Sequence, residues 1–163
     1  MKENNILQAR EPAGGPFLCP PLPLGRILVV DDDSDIRQLS TEVLIHSGYE
    51  VDAAADGAAA WEALQSKTFN LLITDHNMPK LTGVELVRKL RSARMALPVI
   101  LATGILPTQE FTRCPWLQPD ATLLKPYTFE EMLRTVKNVL RATVNAPRAN
   151  RAVASLAKPA NSR

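Results

Sequence analysis

Side chains with carboxylate, hydroxyl and ammonium groups stand where four apolar runs of this sequence end. Asp31 and Asp32 follow ILVV, and Asp75 follows LLIT, while Thr103 ends VILAT and Lys125 ends ATLLK. If these groups meet, three clustered carboxylates repel one another, which favours a bound divalent cation or a proton. Oxygen ligands with open water positions suit Mg²⁺, and a threonine and a lysine are donors for phosphoryl oxygens. Asp75 is then a candidate nucleophile that accepts a phosphoryl group as an acyl phosphate.

A purely structural role is the alternative for each of these aspartates. A single aspartate after a strand is usually a helix cap or a turn residue. Asp33, Ser34 and Asp35 fit that role, and Asp56 precedes the stretch GAAAWEALQ as a cap would. An aspartate pair, a third aspartate, a threonine and a lysine at four separate strand ends, in this order, nevertheless favour a functional site.

The stretches that carry these groups alternate between strand-like and helix-like patterns. Five short apolar runs predict strands: RILVV, YEVDAA, FNLLITD, PVILAT and ATLLK. Four longer stretches predict helices: SDIRQLSTEVLIHSG, DGAAAWEALQSK, TGVELVRKLRSA and TFEEMLRTVKNVLRAT. The alternation predicts an α/β fold, namely a flavodoxin-like doubly wound five-stranded parallel sheet with helices on both faces. In such folds ligands collect beyond the carboxyl ends of the strands, where the polar groups stand.

The patterns also predict how two of the helices are built. In the first helix, Gly48 marks the end of the helix, and four apolar residues stand at helical spacing: Ile36, Leu39, Val43 and Leu44. The fourth helix should be shortened or irregular because its segment contains three prolines: Pro107, Pro115 and Pro119. We expect Phe111 and Trp116 to attach this segment to the domain.

Composition divides the chain into three parts. Residues 1–24 are dense in proline and glycine and predict an irregular lead, residues 25–142 hold one domain, and residues 143–163 form a basic tail that we expect to be disordered. The whole chain has a formal charge of +2, but the tail is basic and contains no acidic residue, so the domain itself is weakly acidic. A weakly acidic domain is a poor match for nucleic acid. Cys19 and Cys114 form neither a disulfide framework nor a zinc pattern. No stretch suits a signal peptide or a membrane span, so we expect a cytoplasmic protein.

Four motifs in this order resemble those of the receiver domains of response regulators in two-component signalling: ILVVDDDSDIR, LLITDHNMP, VILATG and LLKPY. The resemblance covers about residues 25–142. It implies that Asp75 is the phosphoacceptor. It also implies that Asp32 and Asp75 bind Mg²⁺ directly, together with the backbone carbonyl of Asn77. Asp31 would act on the ion through a water molecule.

The resemblance assigns roles to the last two motifs as well. Thr103 is the switch hydroxyl that moves toward the phosphoryl group. Lys125 contacts a phosphoryl oxygen, and Pro126 follows it through a cis peptide bond. Thr122 departs from the family pattern, because many members carry an aromatic switch residue there. A rotating aromatic ring is therefore not expected to report the phosphorylated state of this chain.

These features predict a signalling protein rather than an enzyme. We expect a stand-alone receiver, since no DNA-binding or enzymatic domain fits in the residues outside 25–142. Its phosphodonor would be a histidine kinase or a histidine phosphotransfer protein, and its target would be an unknown protein. The sequence leaves open whether the chain forms a homodimer. Three alternatives remain: a receiver detached from a hybrid histidine kinase, an aspartyl-phosphate hydrolase, and a binding module that is never phosphorylated. The hydrolase would need an aspartate at the position of Asn77, and the intact aspartate, threonine and lysine set argues against the binding module.

Overall fold

The computed structural model describes residues 23–145, so residues 1–22 of the predicted lead and residues 146–163 of the predicted tail lie outside the described residues. The strands are β1 (Arg26–Val30), β2 (Glu50–Ala54), β3 (Leu71–Asp75), β4 (Val99–Thr103) and β5 (Ala121–Leu124). The helices are α1 (Ser34–His46), α2 (Gly57–Ser66), α3 (Gly83–Ser92), α4 (Thr108–Arg113) and α5 (Phe129–Asn145). A 3₁₀ turn covers Pro115–Leu117. Within residues 23–145, no helix has the length and apolar character needed to cross a bilayer.

The five strands form one parallel sheet in the order β2-β1-β3-β4-β5. β1 pairs with both β2 and β3, and its residue Val30 lies opposite Ala54 of β2 and Thr74 of β3. β4 pairs with β3 so that Asp75 lies opposite Ala102. The chain therefore winds from β1 toward both edges, which confirms the predicted doubly wound fold. The strand order reverses between β1 and β3, the two strands whose ends carry the aspartates.

Helices cover both faces of the sheet, and each face has its own hydrophobic core. On one face, alternate strand residues pack with α2 and α3, and fully buried members are Leu28, Leu72, Leu86, Leu90 and Leu101. On the other face they pack with α1 and α5, and fully buried members are Ile27, Leu44, Leu71, Ile100 and Met132. Burying each such side chain stabilises the folded state by about 1.5–3 kcal/mol. Strands that are apolar on both faces therefore need helices on both sides.

Two aspartates have the structural role expected of a helix cap. Asp33 Oδ1 accepts the backbone N–H groups of Asp35 and Ile36 at the start of α1, at 2.9 and 3.2 Å. Asp56 Oδ1 accepts two backbone N–H groups at the start of α2, at 2.9 and 2.8 Å. These contacts satisfy amide groups that have no partner within the helix.

The apolar residues that stand at helical spacing in α1 do not all face the core. Ile36 and Leu39 are 37% and 45% exposed, whereas Ser40 and Leu44 are buried. Because α1 carries apolar residues around most of its circumference, helical spacing alone does not determine which of them face the sheet. Ser40 and Leu44 lie four residues apart on one face, and this face meets the sheet. Two large apolar side chains are therefore left exposed in the first turns of α1.

The segment between β4 and β5 is irregular, as its prolines predict. α4 has six residues, none of them buried, and it ends before Pro115. Phe111 packs against the core, as expected. Trp116 is 47% exposed, so its predicted role in attaching the segment is wrong. Leu117, in the 3₁₀ turn, is buried in its place.

Candidate functional site

Three carboxylates converge at the carboxyl ends of β1 and β3. Asp31 and Asp32 directly follow β1, and Asp75 is the last residue of β3. Because these strands are neighbours, one carboxylate oxygen from each aspartate lies within 4.8 Å of the other two. Asp31 and Asp75 are 5% and 6% exposed, whereas Asp32 is exposed. The three aspartates therefore form an acidic cleft with an open side.

Lys125 brings a positive charge into this cleft from the end of β5. Its Nζ lies 2.9 Å from Asp75 Oδ1 and 3.3 Å from Asp31 Oδ2. β4 separates β5 from β3, so the long lysine side chain spans the intervening strand. The Lys125–Pro126 peptide bond is cis, as the resemblance implies. One ammonium group thus partly neutralises two buried carboxylates.

Burial and neighbouring charges act in opposite directions on the pKa values of Asp31 and Lys125. Burial raises the pKa of Asp31 above its ordinary value, and the N–H of Asp33 and the charge of Lys125 only partly offset that effect. Burial also disfavours the charged form of Lys125, but its hydrogen bond to Asp75 and the charge of Asp31 outweigh burial and raise the pKa of Lys125. Lys125 is therefore protonated at neutral pH, and a further positive charge beside Asp31 is favourable.

Thr103 reaches the same edge of the sheet, but its hydroxyl is engaged by the following loop. Its side chain is fully buried. Oγ1 donates to the carbonyl of Ile105 at 2.7 Å and accepts the N–H of Ile105 at 3.3 Å. Asp75 lies opposite Ala102, so Thr103 is one residue further along the neighbouring strand. The predicted switch hydroxyl is thus bonded to the loop after β4.

Backbone hydrogen bonds fix the loop that follows Asp75. The N–H of Asn77 donates to Asp75 Oδ2 at 3.2 Å, and the N–H of His76 donates to the carbonyl of Ala102 at 2.8 Å. Gly83, at the start of α3, donates its N–H to the carbonyl of His76 at 3.0 Å. A Cβ at Gly83 would lie 2.3 Å from the carbonyl oxygen of Asp75. This close approach of two backbones requires glycine at position 83.

Gly83→Ala should therefore lower the free energy of unfolding. The added methyl group meets a backbone oxygen at the end of β3, and overpacking of this kind costs about 1–3 kcal/mol. Gly104→Ala is the matched control, because no atom lies within 4 Å of a Cβ there and its backbone is outside the left-handed region. Its stability should stay equal or rise by up to about 1 kcal/mol. Urea unfolding measures both variants, and equal midpoints for the two would contradict this explanation of Gly83.

The donor atoms of the cleft fit Mg²⁺. Asp31, Asp32 and Asp75 offer only carboxylate oxygens, the ligands that this hard cation prefers. The exposure of Asp32 leaves room for the water molecules that Mg²⁺ retains. Asn77 lies at the rim and is tied to Asp75 through its backbone N–H. Three carboxylates against one lysine also leave an excess of negative charge that a divalent cation would balance.

Arg37 is a residue of this site that sequence reasoning missed. Its Nη1 donates to the backbone carbonyl of Asp31 at 2.7 Å. The available signal was its position, since Arg37 follows the cap Asp33 by one helical turn and a long side chain there reaches back over the helix start. Because the contact is made with a backbone carbonyl, the residue types alone do not reveal it.

Fold and cleft together define a flavodoxin-like α/β protein with an acidic strand-end site suited to Mg²⁺ and phosphoryl chemistry. Residues 27–137 match the family model of the response regulator receiver domain. The chain therefore belongs to this family, whose members are signalling domains that accept a phosphoryl group and bind Mg²⁺ in an acidic pocket.

Relatives and solved structures agree with this assignment. Response regulator MprA of Mycobacterium ulcerans (strain Agy99) is 37% identical over 118 residues, which are 72% of this chain and 51% of that protein. Chemotaxis response regulator CheY4 of Vibrio cholerae is 34% identical with a TM-score of 0.63, covering 70% of this chain and 97% of that one. Response regulator TrrA of Thermotoga maritima, in complex with Mg²⁺-BeF, is 33% identical with a TM-score of 0.60 and the same coverage. The chain spans about half the length of the MprA proteins, so the stand-alone receiver remains a prediction.

Proposed function

We propose that this chain takes a phosphoryl group from a histidine kinase or a histidine phosphotransfer protein onto Asp75, with Mg²⁺, and signals by phosphorylation-dependent protein contact. The observation that carries the proposal is the position of Asp75, whose Oδ1 lies 2.9 Å from Lys125 Nζ inside the acidic cluster. A buried carboxylate that is oriented by an ammonium group beside a cation site is well placed to attack phosphorus.

In the transfer step, an oxygen of Asp75 forms a bond to phosphorus while the bond from phosphorus to the donor's histidine nitrogen breaks. Negative charge is spread over the three phosphoryl oxygens, and Lys125 would donate to one of them. Asp32, Asp75 and the carbonyl of Asn77 would hold Mg²⁺, which when bound neutralises charge on the carboxylate and phosphoryl oxygens. Asp31 would act on the ion through a water molecule.

The output would follow from the hydrogen bonds that phosphorylation changes. A phosphoryl group on Asp75 adds roughly one to two negative charges and offers Thr103 a stronger acceptor than the carbonyl of Ile105. Turning the hydroxyl toward it would release the loop after β4, in which Ile105 is 82% exposed. Thr122 is exposed on β5 and has no ring to rotate. The loop itself would therefore change the surface that a protein target contacts.

Exposed apolar residues of α1 support a docking surface for the phosphodonor. Ile36 and Leu39 lie in the first turns of α1, directly after the loop that carries Asp31 and Asp32. A partner helix that presents a histidine to Asp75 would cover these side chains. Large apolar side chains that are left exposed beside a reactive site are suited to anchor such a contact.

Leu39→Asp should slow phosphotransfer from a protein donor by about tenfold or more, equivalent to about 1.4 kcal/mol of lost contact. Phosphorylation by acetyl phosphate should not change, since this small donor needs no docking surface. Ile45→Asp is the control, because Ile45 is also exposed on α1 but lies about 9 Å further along the helix than Leu39. The donor is a radiolabelled histidine phosphotransfer protein that is chosen because it transfers rapidly to the wild-type chain. The rate at which the label moves to each variant is the measurement. Equal rates for the two variants would argue against this docking surface.

Incubation with acetyl phosphate and Mg²⁺, followed by intact-mass measurement, separates the remaining functions. A stable single phosphoryl adduct that requires Mg²⁺ supports a receiver, including one that works beside a hybrid histidine kinase. Rapid release of inorganic phosphate without an adduct would support a hydrolase instead, although Asn77 leaves that mechanism without its acid. Absence of both adduct and turnover would support a binding module that is never phosphorylated.

A further inference from the structure

Arg37 contacts the acidic loop from the first turns of α1. Its Nη1 donates to the backbone carbonyl of Asp31 at 2.7 Å and lies 3.4 Å from the carbonyl of Asp32. The side chain is partly buried. Arg37 takes part in none of the ion pairs found within residues 23–145. In this part of the chain, its guanidinium group is therefore directed at the loop backbone rather than at a carboxylate.

The loop holds its first two aspartates in different ways. The carboxylate of Asp31 accepts the N–H of Asp33 at 3.0 Å and the Lys125 ammonium at 3.3 Å. Asp32 is exposed, and within residues 23–145 its carboxylate takes part in no side-chain hydrogen bond, while its carbonyl is approached by Arg37. The direction of the Asp32 carboxylate thus depends on the backbone of residues 31–33. Arg37 fixes that backbone on one side, and the α1 cap at Asp33 fixes it on the other.

We propose that Arg37 is a positioning residue that directs the Asp32 carboxylate toward the divalent cation by holding the carbonyls of Asp31 and Asp32. The proposal rests on the Mg²⁺ role that the proposed function gives to Asp32. Arg37 also has an effect of the opposite sign, because its positive charge repels a cation. Removing the guanidinium group therefore weakens Mg²⁺ binding if positioning dominates and strengthens it if charge dominates. Positioning dominates here, since salt and water screen the charge in an open cleft but leave both hydrogen bonds intact.

The Mg²⁺ affinity of the full chain, measured by isothermal titration calorimetry without a phosphodonor, tests this role. Arg37→Met keeps the aliphatic stem but removes the donors and the charge, and it should raise the Kd for Mg²⁺ by about tenfold. Arg37→Lys keeps the charge and one donor group, and it should recover most of the affinity. Arg141→Met removes an exposed arginine in the last turns of α5 and should leave the Kd unchanged. Circular dichroism at the titration temperature verifies that each variant is folded.

A double-mutant cycle separates positioning of Asp32 from a general loosening of the domain. In an Asp32→Ala background, Arg37→Met should change the Kd by less than about twofold, because the carboxylate that it positions is gone. Three results would each overturn the proposal: equal or tighter binding by Arg37→Met, no recovery by Arg37→Lys, or an undiminished effect in the Asp32→Ala background. If the wild-type chain binds no Mg²⁺, or Asp32→Ala binds it unchanged, the proposed metal site fails together with the role of Arg37.

Discussion

Asp75→Asn should abolish phosphorylation by acetyl phosphate and by phosphohistidine donors. An amide cannot form the acyl phosphate that the transfer requires. Asp33→Asn is the matched control, since Asp33 follows the same strand end as Asp31 but its carboxylate caps α1. Asparagine caps helices about as well as aspartate, so this variant should be phosphorylated normally. Intact-mass measurement compares the two, and an undiminished adduct on Asp75→Asn would remove the basis for the phosphoacceptor assignment.

The same substitution should leave the domain folded, with an equal or higher free energy of unfolding in the absence of metal. Asn removes the repulsion between Asp75 and its two neighbours Asp31 and Asp32. Lys125 loses one attraction but keeps Asp31 at 3.3 Å. Urea unfolding in EDTA provides the measurement. A loss of about 3 kcal/mol or more, as expected when a buried charge loses an essential partner, would show that the attraction to Lys125 outweighs the repulsions.

Asp32→Ala should raise the Kd for Mg²⁺ by at least about tenfold, because even indirect partners of a bound metal contribute that much to affinity. Phosphorylation by acetyl phosphate should fall with Mg²⁺ occupancy. The side chain of Asp32 is exposed and does not cap α1, so the substitution should not change the stability of the fold. Calorimetric titration is the suitable measurement, since neither Trp61 nor Trp116 belongs to the cleft.

Asp35→Ala is the control for the charge that Asp32→Ala removes. Asp35 is exposed in the first turn of α1, three residues further on, and it is not part of the three-aspartate cluster. A general effect of negative charge would weaken Mg²⁺ binding in both variants. Loss of a ligand would weaken it only in Asp32→Ala. Unchanged Mg²⁺ affinity of Asp32→Ala would show that Asp32 is not a ligand.

The sequence was sufficient to predict the parallel sheet and the meeting of its polar strand ends. Strands that are apolar on both faces have to be covered by helices on both sides, and parallel strands present their carboxyl ends at one edge. Asp31, Asp75 and Lys125 were therefore expected to converge, and the structure joins them by contacts of 2.9 and 3.3 Å. The shortness of α4 was also predictable, because prolines interrupt its segment.

Features that depend on tertiary packing were not predictable in this way. The helical spacing of the apolar residues in α1 predicts a helix but not which of them are buried, and Ile36 and Leu39 are exposed. Trp116 was expected to be anchored, but the 3₁₀ turn buries Leu117 instead. Arg37 was missed because its partners are backbone carbonyls, which every residue carries. The spacing of Arg37 from the cap Asp33 brings the side chain within reach of the loop, but residue types do not reveal which carbonyl it contacts.

Locating the phosphoryl group within the chain is the most direct test of the central claim. The wild-type chain is incubated with acetyl phosphate, with and without Mg²⁺, and then reduced with borohydride, which converts an aspartyl phosphate into homoserine. Peptide mass spectrometry then locates the modified residue. We expect homoserine at position 75 only, and only in the sample with Mg²⁺. Modification of Asp31, Asp32 or any other residue in place of Asp75 would contradict the assignment of Asp75 as the phosphoacceptor.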